Sequence, residues 1–237
     1  MEYVVLSRGL SILLGAILSI AIAIGARAAG ALTRDGALAA VVIGTVVFGF
    51  GGVGPAVLLV TFFLTSSLLT RWQADRKSHP EHRRGRTGAQ VAANGGLVAL
   101  LSVWHAYAPS PELAAAMAGA IATVTADTWG TEIGLLSPER PRLITTRQPV
   151  PPGTSGAVTW WGTIAGIAGA ALIAAGASWL LRLPPGVIWL AGILGMTADS
   201  ILGALVEGAV EWMNNDAVNT LATVAGAVLA VVILVFR

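Results

Sequence analysis

The sequence predicts an all-α fold, a polytopic transmembrane helix bundle of about eight spans. Hydrophobic residues make up 55% of the 237-residue chain and charged residues only 11%, whereas soluble domains carry about 25% charged residues. The apolar stretches recur along the whole length and are continuous, which favours helices over a β-barrel. Gly and Ala dominate them, and such small residues let helices approach closely in lipid. We therefore expect one integral-membrane domain over residues 1–237.

Each span follows from the roughly 20 apolar residues that a helix needs to cross a bilayer. We predict spans at 8–27, 35–51, 54–71, 90–107, 111–128, 157–181, 186–206 and 217–236. The first is not a cleavable signal, because a polar segment and then further spans follow it. The second and third are short, and the nearly apolar turn GFGGVGP lies between them. These two either cross as short spans or form a hairpin that does not cross fully.

The distribution of basic residues orients the bundle. With eight crossings, most of the 14 Lys and Arg residues fall on one face, namely Arg27, Arg34, Arg71, Arg76, Lys77, Arg83, Arg84, Arg86, Arg140, Arg142 and Arg147. Arg8, Arg182 and Arg237 fall on the other. An excess of Lys and Arg marks the cytoplasmic side. We therefore expect loops 71–89 and 137–156 to be cytoplasmic, both termini to lie outside, and the cell membrane to be the location.

Acidic residues concentrate on the same face, although acids contribute little to topology. The motif TADT at 125–128 returns as TADS at 197–200, near the inner ends of two spans that run in the same direction. This echo places Asp127 and Asp199 at matching depths and, unless it is chance, indicates a parallel duplication. Asp199, Gly203 and Glu207 share one helical stripe. Ionisable groups at membrane depth usually face the bundle interior and serve a function.

The residue types favour a hard divalent cation. The chain has no Cys. His79 and His82 lie in the basic loop and His105 near the outer face, so a zinc site is disfavoured. Carboxylate and amide oxygens suit Mg²⁺ or Mn²⁺, which typically bind one or two carboxylates together with phosphates and water. Asn94 and Asn215, at span starts, are either helix caps or members of this site.

Candidate phosphate-binding groups lie in the loops of the same face. The segment SPERPRLITTRQPVPPGTSGAVT carries three arginines and then a run of small and hydroxylated residues that leads into a helix, where backbone N–H groups favour anions. It is not a Walker loop. LTRDGA at 32–37 resembles it, with Arg34 as the anion partner. The basic loop 71–89 either attracts anionic headgroups or captures phosphate through Lys77 and Arg86. Nucleic acid binding is not implied.

Several segments together resemble a known family. These are LTRDGALAAVVIGTVVFG, GRTGAQVAANGG, TADTWGTEIGLLS, PRLITT, VPPGTSGAVTWWGTIAG, DSILGA and NNDAVNTLAT, which follow one another in order over about residues 30–225. They are similar to the integral-membrane family that includes the plant and cyanobacterial phytyl-phosphate kinase and the animal transmembrane protein 19. Ala157 is a mild departure from the glycine that usually follows TSG in that family.

The resemblance implies a prenyl-phosphate kinase that makes phytyl or geranylgeranyl diphosphate from the monophosphate, with ATP or CTP as co-substrate. We expect Mg²⁺ or Mn²⁺ on Asp127 and Asp199, with Glu132, Asn215 and Asp216 as further ligands. Arg142 is the predicted catalytic arginine. The predicted phosphate and nucleotide contacts are Arg34, Lys77, Arg86, Asn94, Arg147, Gly153, Thr154, Ser155, Gly156 and Thr159. The partners are an isoprenoid lipid phosphate and the bilayer, and Gly-rich faces would permit a homodimer.

Alternatives remain open from the residues alone. A cytidylyltransferase that makes a CDP-lipid and a kinase of free polyprenols would need the same cation, nucleotide and lipid. A transporter of lipid phosphates or ions would also use intramembrane acids, although transporters bind near the midplane and these acids cluster at one face. Phosphoryl transfer at the inner interface fits that clustering best.

Overall fold

Helices form most of the chain in the computed structural model, which describes residues 7–77 and 85–237. They are α1 (Arg8–Ala28), α2 (Arg34–Val46), α3 (Val53–Arg71), α4 (Gly88–Tyr107), α5 (Pro111–Gly134), α6 (Trp160–Leu181), α7 (Pro185–Val206) and α8 (Asn215–Val235). Two-residue strands β1 (Arg142–Leu143) and β2 (Ala157–Val158) pair antiparallel. The prediction of an all-α membrane bundle is confirmed.

The helix starts follow from hydroxyl and amide side chains that cap exposed N–H groups. Thr87 and Gln90 form a reciprocal capping box at the start of α4, and Thr159 accepts a hydrogen bond from the Gly162 N–H at the start of α6. The interpretation of Asn94 and Asn215 as caps is wrong, because Asn94 lies within α4 and Asn214, not Asn215, caps α8.

α5 is the central helix of the bundle. It packs against α3, α4, α6, α7 and α8, and every residue from 115 to 126 is buried. Small residues make this possible: a side chain on Gly119 would collide with Gly226 and Ala230 of α8. α1 lies at the periphery against α2, and most of its surface is exposed and apolar.

Within residues 7–77 and 85–237, six helical segments are long and apolar enough to cross a membrane, and α4 and α5, the fourth and fifth of the predicted eight spans, are not among them. The second and third predicted spans are among them, because α2 continues through a π-helical segment, Val47–Gly51, to give the 18-residue helix Arg34–Gly51. The expected turn at GFGGVGP is thus shorter than predicted. It contracts to Gly52, whose φ of 84° is one that glycine adopts readily. The two lengths favour two short spans over a hairpin.

Two predicted boundaries are wrong in ways that bear on the site. The fifth helix does not end at residue 128 but continues to Gly134, so TADTWGTEIG is helical. The sixth helix begins at Trp160 rather than 157, because β2 occupies Ala157–Val158. Of the basic loop, the short turn Ala74–Arg76 is described, while His79, His82, Arg83 and Arg84 lie outside the described residues.

Candidate functional site

Two adjoining cavities open where α1, α3, α5 and α7 end and α2, α4, α6 and α8 begin; we call this the polar end. The carboxylate cavity, about 180 Å³, lies among α5, α6, α7 and the 152–159 segment. The arginine cavity, about 410 Å³, is lined by α3, α4, α5 and α8. Both are lined by Asp127, Thr131, Leu135, Gly153, Ser155, Glu207 and Asn215. Together they form one continuous cleft.

Asp127 of α5 and Asp199 of α7 meet in the carboxylate cavity. Their helices pack side by side and run in the same direction, so the TADT and TADS motifs lie at the same end of the bundle. Thr125 and Thr197 each donate a hydrogen bond to the carbonyl one turn earlier, at Ile121 and Ile193. The two motifs thus have matching local geometry, while the proposed duplication stays a prediction.

The Asp127 and Asp199 carboxyl groups are partly buried and lie close enough to share a hydrogen bond, and Glu207 lies near Asp199. Two ionised carboxylates at that separation would repel each other. Asp199 Oδ2 is buried and has no hydrogen-bond partner among the described residues. Buried charges are normally paired or bound to a metal. The arrangement is therefore suited to a cation.

The oxygen donors of this cavity are of the type that bind Mg²⁺ when substrate phosphates supply the remaining ligands. No group of three or more His, Cys, Asp and Glu side chains with metal-binding geometry occurs within residues 7–77 and 85–237. Mg²⁺, however, is commonly bound by one or two carboxylates together with water and substrate phosphates. Asp127, Asp199 and the Asn215 amide offer such oxygens to the carboxylate cavity. Asp216, also predicted as a ligand, lines neither cavity.

The glycine-containing loop forms one wall of the carboxylate cavity. Gly153 and Gly156 adopt φ values of 84° and 72°, which favour glycine. A Cβ on Gly156 would also lie 2.5 Å from the Ser200 carbonyl oxygen and the Ala204 Cβ, so the loop must press directly on α7. Gly156 O accepts a hydrogen bond from the Ile144 N–H, which fixes the loop beside β1. Backbone groups can therefore approach a bound anion closely.

Two hydroxyl groups of this loop already form hydrogen bonds within the protein. Thr154 Oγ1 donates to the Pro151 carbonyl, and Thr159 serves as the cap of α6. Thr154, Ser155 and Thr159 all line the carboxylate cavity, as predicted contacts should. Their role in phosphate binding stays a prediction.

Arg86 lies on the wall of the arginine cavity. Its backbone exchanges hydrogen bonds with the α1–α2 connection, from the Arg86 N–H to Ala31 O and from the Thr33 N–H to Arg86 O. Burial lowers the pKa of Arg86 to about 10, against the opposing effect of the Glu132 charge. The guanidinium therefore remains cationic at neutral pH. Asn94, one further predicted contact, lines the same cavity.

The structure does not bring the other predicted arginines to the cleft. Arg34, Arg142 and Arg147 are exposed and line neither cavity. The Arg142 Nη1 donates to the Arg147 carbonyl at 3.0 Å, which belongs to the turn between β1 and β2. These side chains lie on the outer rim of the polar end, where they can attract anions but do not contact the cavity interior.

Lys77 and Glu132 form a buried ion pair, and Glu132 also lines the arginine cavity. Lys77 Nζ lies 2.7 Å from Glu132 Oε2, and their side chains are 0% and 6% exposed. Lys77 also donates to the carbonyls of Leu69 and Thr70 at the end of α3, and Thr70 Oγ1 donates to Glu132 Oε1. This geometry favours a structural role for both residues over the predicted phosphate and metal contacts.

The cleft also contains residues outside the predicted set. They include Arg71, Thr131, Ser200, Glu207 and Asn219. Glu207 shares the helical stripe of Asp199 noted in the sequence, Asn219 follows Asn215 by one helical turn, and Thr131 follows Asp127 by one turn. No sequence signal distinguishes Arg71 from the other basic residues near that face.

Comparisons with known proteins agree with a membrane protein. The family model described as integral membrane protein DUF92 matches residues 17–227. The chain is 35% identical over 207 residues to an uncharacterized membrane protein of Methanocaldococcus jannaschii, covering 85% of both chains. It is 35% identical to Arabidopsis thaliana protein PGR, covering 74% of this chain and 72% of that one. It is 28% identical to the chloroplastic Arabidopsis protein VTE6, covering 84% and 64%. No solved structure matches significantly.

Proposed function

This chain belongs to the DUF92 integral membrane protein family, and from that premise we propose that it is a membrane-embedded prenyl-phosphate kinase. It would convert phytyl or geranylgeranyl monophosphate to the diphosphate with ATP or CTP. One observation carries the proposal: a partly buried carboxylate pair, a glycine loop and a partly buried arginine line one cleft at one end of the bundle. The sequence resemblance to the phytyl-phosphate kinase family supplies the substrate class.

Asp127 is the residue on which the proposal depends most. It lines both cavities, one of which contains the glycine loop and the other Arg86. We assign the nucleotide phosphates to the carboxylate cavity beside Gly153 and Gly156, and the lipid phosphate to the arginine cavity. Magnesium held by Asp127 and Asp199 would neutralise phosphate charge as transfer proceeds.

The proposed reaction needs no strong base from the protein. An ionised oxygen of the lipid monophosphate attacks the γ-phosphorus of the nucleotide. The bond from that phosphorus to the oxygen bridging the β-phosphate breaks, and the nucleoside diphosphate leaves with the bonding electrons. Because the attacking oxygen carries no proton, the chain's own residues have to orient two anions and offset their repulsion. Arg86 and the loop N–H groups are the candidates for this task.

We further propose that the polar end faces the cytoplasm, in the cell membrane. The support is the excess of Lys and Arg on that face, which marks cytoplasmic loops. A nucleotide dissolved in the cytosol would then reach the cleft directly, while the lipid would arrive from the bilayer.

The test is product analysis with detergent-purified protein, Mg²⁺, geranylgeranyl or phytyl monophosphate, and each nucleoside triphosphate. We expect a lipid diphosphate and a nucleoside diphosphate, detected by mass spectrometry. Asp127→Asn should abolish turnover without unfolding the protein, because it keeps the side-chain size. Glu112→Gln is the matched control, since Glu112 is an exposed acid in the first turn of the same helix, and it should retain full activity.

Other outcomes would replace the proposal with a named alternative. A CDP-lipid with pyrophosphate would identify a cytidylyltransferase, and phosphorylation of a free polyprenol alone would identify a polyprenol kinase. Full activity of Asp127→Asn would remove that residue from the site. Folded protein that yields no product with any pair would refute the kinase and direct attention to transport.

A further inference from the structure

A third cavity adjoins the polar cleft and is almost entirely apolar. This apolar groove has a volume of about 90 Å³. It lies where α2 and α3 diverge, since α2 packs on α1 and α4 whereas α3 packs on α5 and α6. Its lining includes Ile22, Ala40, Ile43, Leu59, Phe62 and Phe63. The groove and the arginine cavity share two residues, Arg86 and Asn94.

Arg86 marks the boundary between the two environments. Its guanidinium carbon lies 5.1 Å from the centre of the Phe62 ring and 6.0 Å from that of Phe63. The side chain makes no hydrogen bond with any described residue. Aromatic faces attract a cation but leave its N–H donors available. Arg86 thus lines both the apolar groove and the arginine cavity, and its N–H donors are available to a ligand there.

The shape of the groove limits what can enter it. Ile22, Ala40, Ile43 and Leu59 are only partly buried, so the groove is open rather than an internal void. Its volume is smaller than the roughly 150 Å³ cavity that accommodates one benzene ring. It can therefore hold a short length of one hydrocarbon chain and not two chains side by side.

We propose that the apolar groove between α2 and α3 binds the head-proximal part of a single-chain lipid monophosphate, whose phosphate contacts Arg86. The inference rests on the proposed function for the presence of a lipid phosphate, and it adds where the tail lies and why one chain is selected. The remainder of the tail extends into the bilayer. A diacyl phosphate such as phosphatidic acid does not fit.

A binding experiment tests the inference without requiring turnover. The probe is geranylgeranyl monophosphate with a photoreactive diazirine near the phosphate, used on the full chain in detergent, with cross-linked peptides mapped by mass spectrometry. We expect labels on α2 and α3 at groove residues, competed by unlabelled geranylgeranyl monophosphate and not by phosphatidic acid. Labels confined to other helices, or equal competition by phosphatidic acid, would overturn the inference.

Matched substitutions on α2 sharpen the test. Ala40→Phe fills the groove, whereas Val42→Phe adds the same ring at a position that is 62% exposed. Ala40→Phe should abolish groove labelling and raise the KM for geranylgeranyl monophosphate by about tenfold or more. It should leave the affinity for inorganic phosphate unchanged, since phosphate carries no chain and does not enter the groove. Val42→Phe should resemble the unaltered protein in both assays.

Arg86→Gln should weaken binding of geranylgeranyl monophosphate and of inorganic phosphate alike, because the phosphate contact is common to both. Equal effects of Ala40→Phe and Val42→Phe, or of Ala40→Phe on geranylgeranyl monophosphate and inorganic phosphate, would refute the groove as the tail site. The two proposals can fail separately: absence of any diphosphate refutes the kinase, while groove labelling still decides where the lipid chain binds.

Discussion

Lys77→Met removes the cation from a buried ion pair. Its Nζ lies 2.7 Å from Glu132 Oε2 with no exposed side-chain surface, and it donates to two carbonyls at the end of α3. Removing one partner of a buried pair typically costs about 3–5 kcal/mol, since the other charge loses its compensation. For a chain of this size that corresponds to a fall in Tm of roughly 6–20 °C.

The assay is thermal unfolding of detergent-purified variants, with Arg76→Met as the control. Arg76 belongs to the same turn and is exposed, so its loss should change stability by no more than about 0.5 kcal/mol. Equal Tm values for Lys77→Met and Arg76→Met would refute the structural role. If Lys77→Met kept its Tm but lost affinity for the nucleotide, the sequence-based prediction of a phosphate contact would be correct instead.

Two further predictions concern packing and the rim of the cleft. Gly226→Ala should destabilise the bundle by about 1–3 kcal/mol, because the new methyl group would overlap Thr123 Oγ1. Most of that loss should be recovered in a Thr123→Ala background, as thermal unfolding of the single and double variants would reveal. Arg142→Ala should leave the KM for both substrates unchanged, because Arg142 lies outside the cavities. A raised KM, relative to Arg140→Ala as a control, would contradict this placement.

Hydropathy was sufficient to predict the helices, because lipid imposes a minimum apolar length on each span. Hydropathy predicted the ends of the helices near the site less accurately. α5 continues past Asp127 through TWGTEIG although the apolar run has ended. That segment is stabilised by residues distant in sequence; for example, Lys77 and Thr70 donate hydrogen bonds to the Glu132 carboxylate. Hydropathy does not report such contacts.

The carboxylate pair and Arg86 were predicted to reach the site and do line the cleft, whereas Arg34, Arg142 and Arg147 were also predicted and do not, for a physical reason. Asp127 and Asp199 stand in apolar helices, where an acid is costly and therefore conspicuous. Basic residues at a membrane surface are common, and composition does not distinguish Arg86, which reaches the cleft, from Arg142, which does not. What separates them is the pairing of the 85–87 segment with the α1–α2 connection, a contact between residues more than 50 positions apart.

The burial of α5 has a consequence for how variation among relatives of this chain should be interpreted. From residue 115 to 126 the helix is enclosed on every side, mostly by the small faces of its neighbours. An enlarged side chain there would meet another backbone, so this half of the helix should change very slowly during evolution. Near-invariance of residues 115–126 among relatives would then result from close packing and not from a role of these residues in the site. Selection for function should become visible only one residue later, at Asp127, where α5 first lines the cleft.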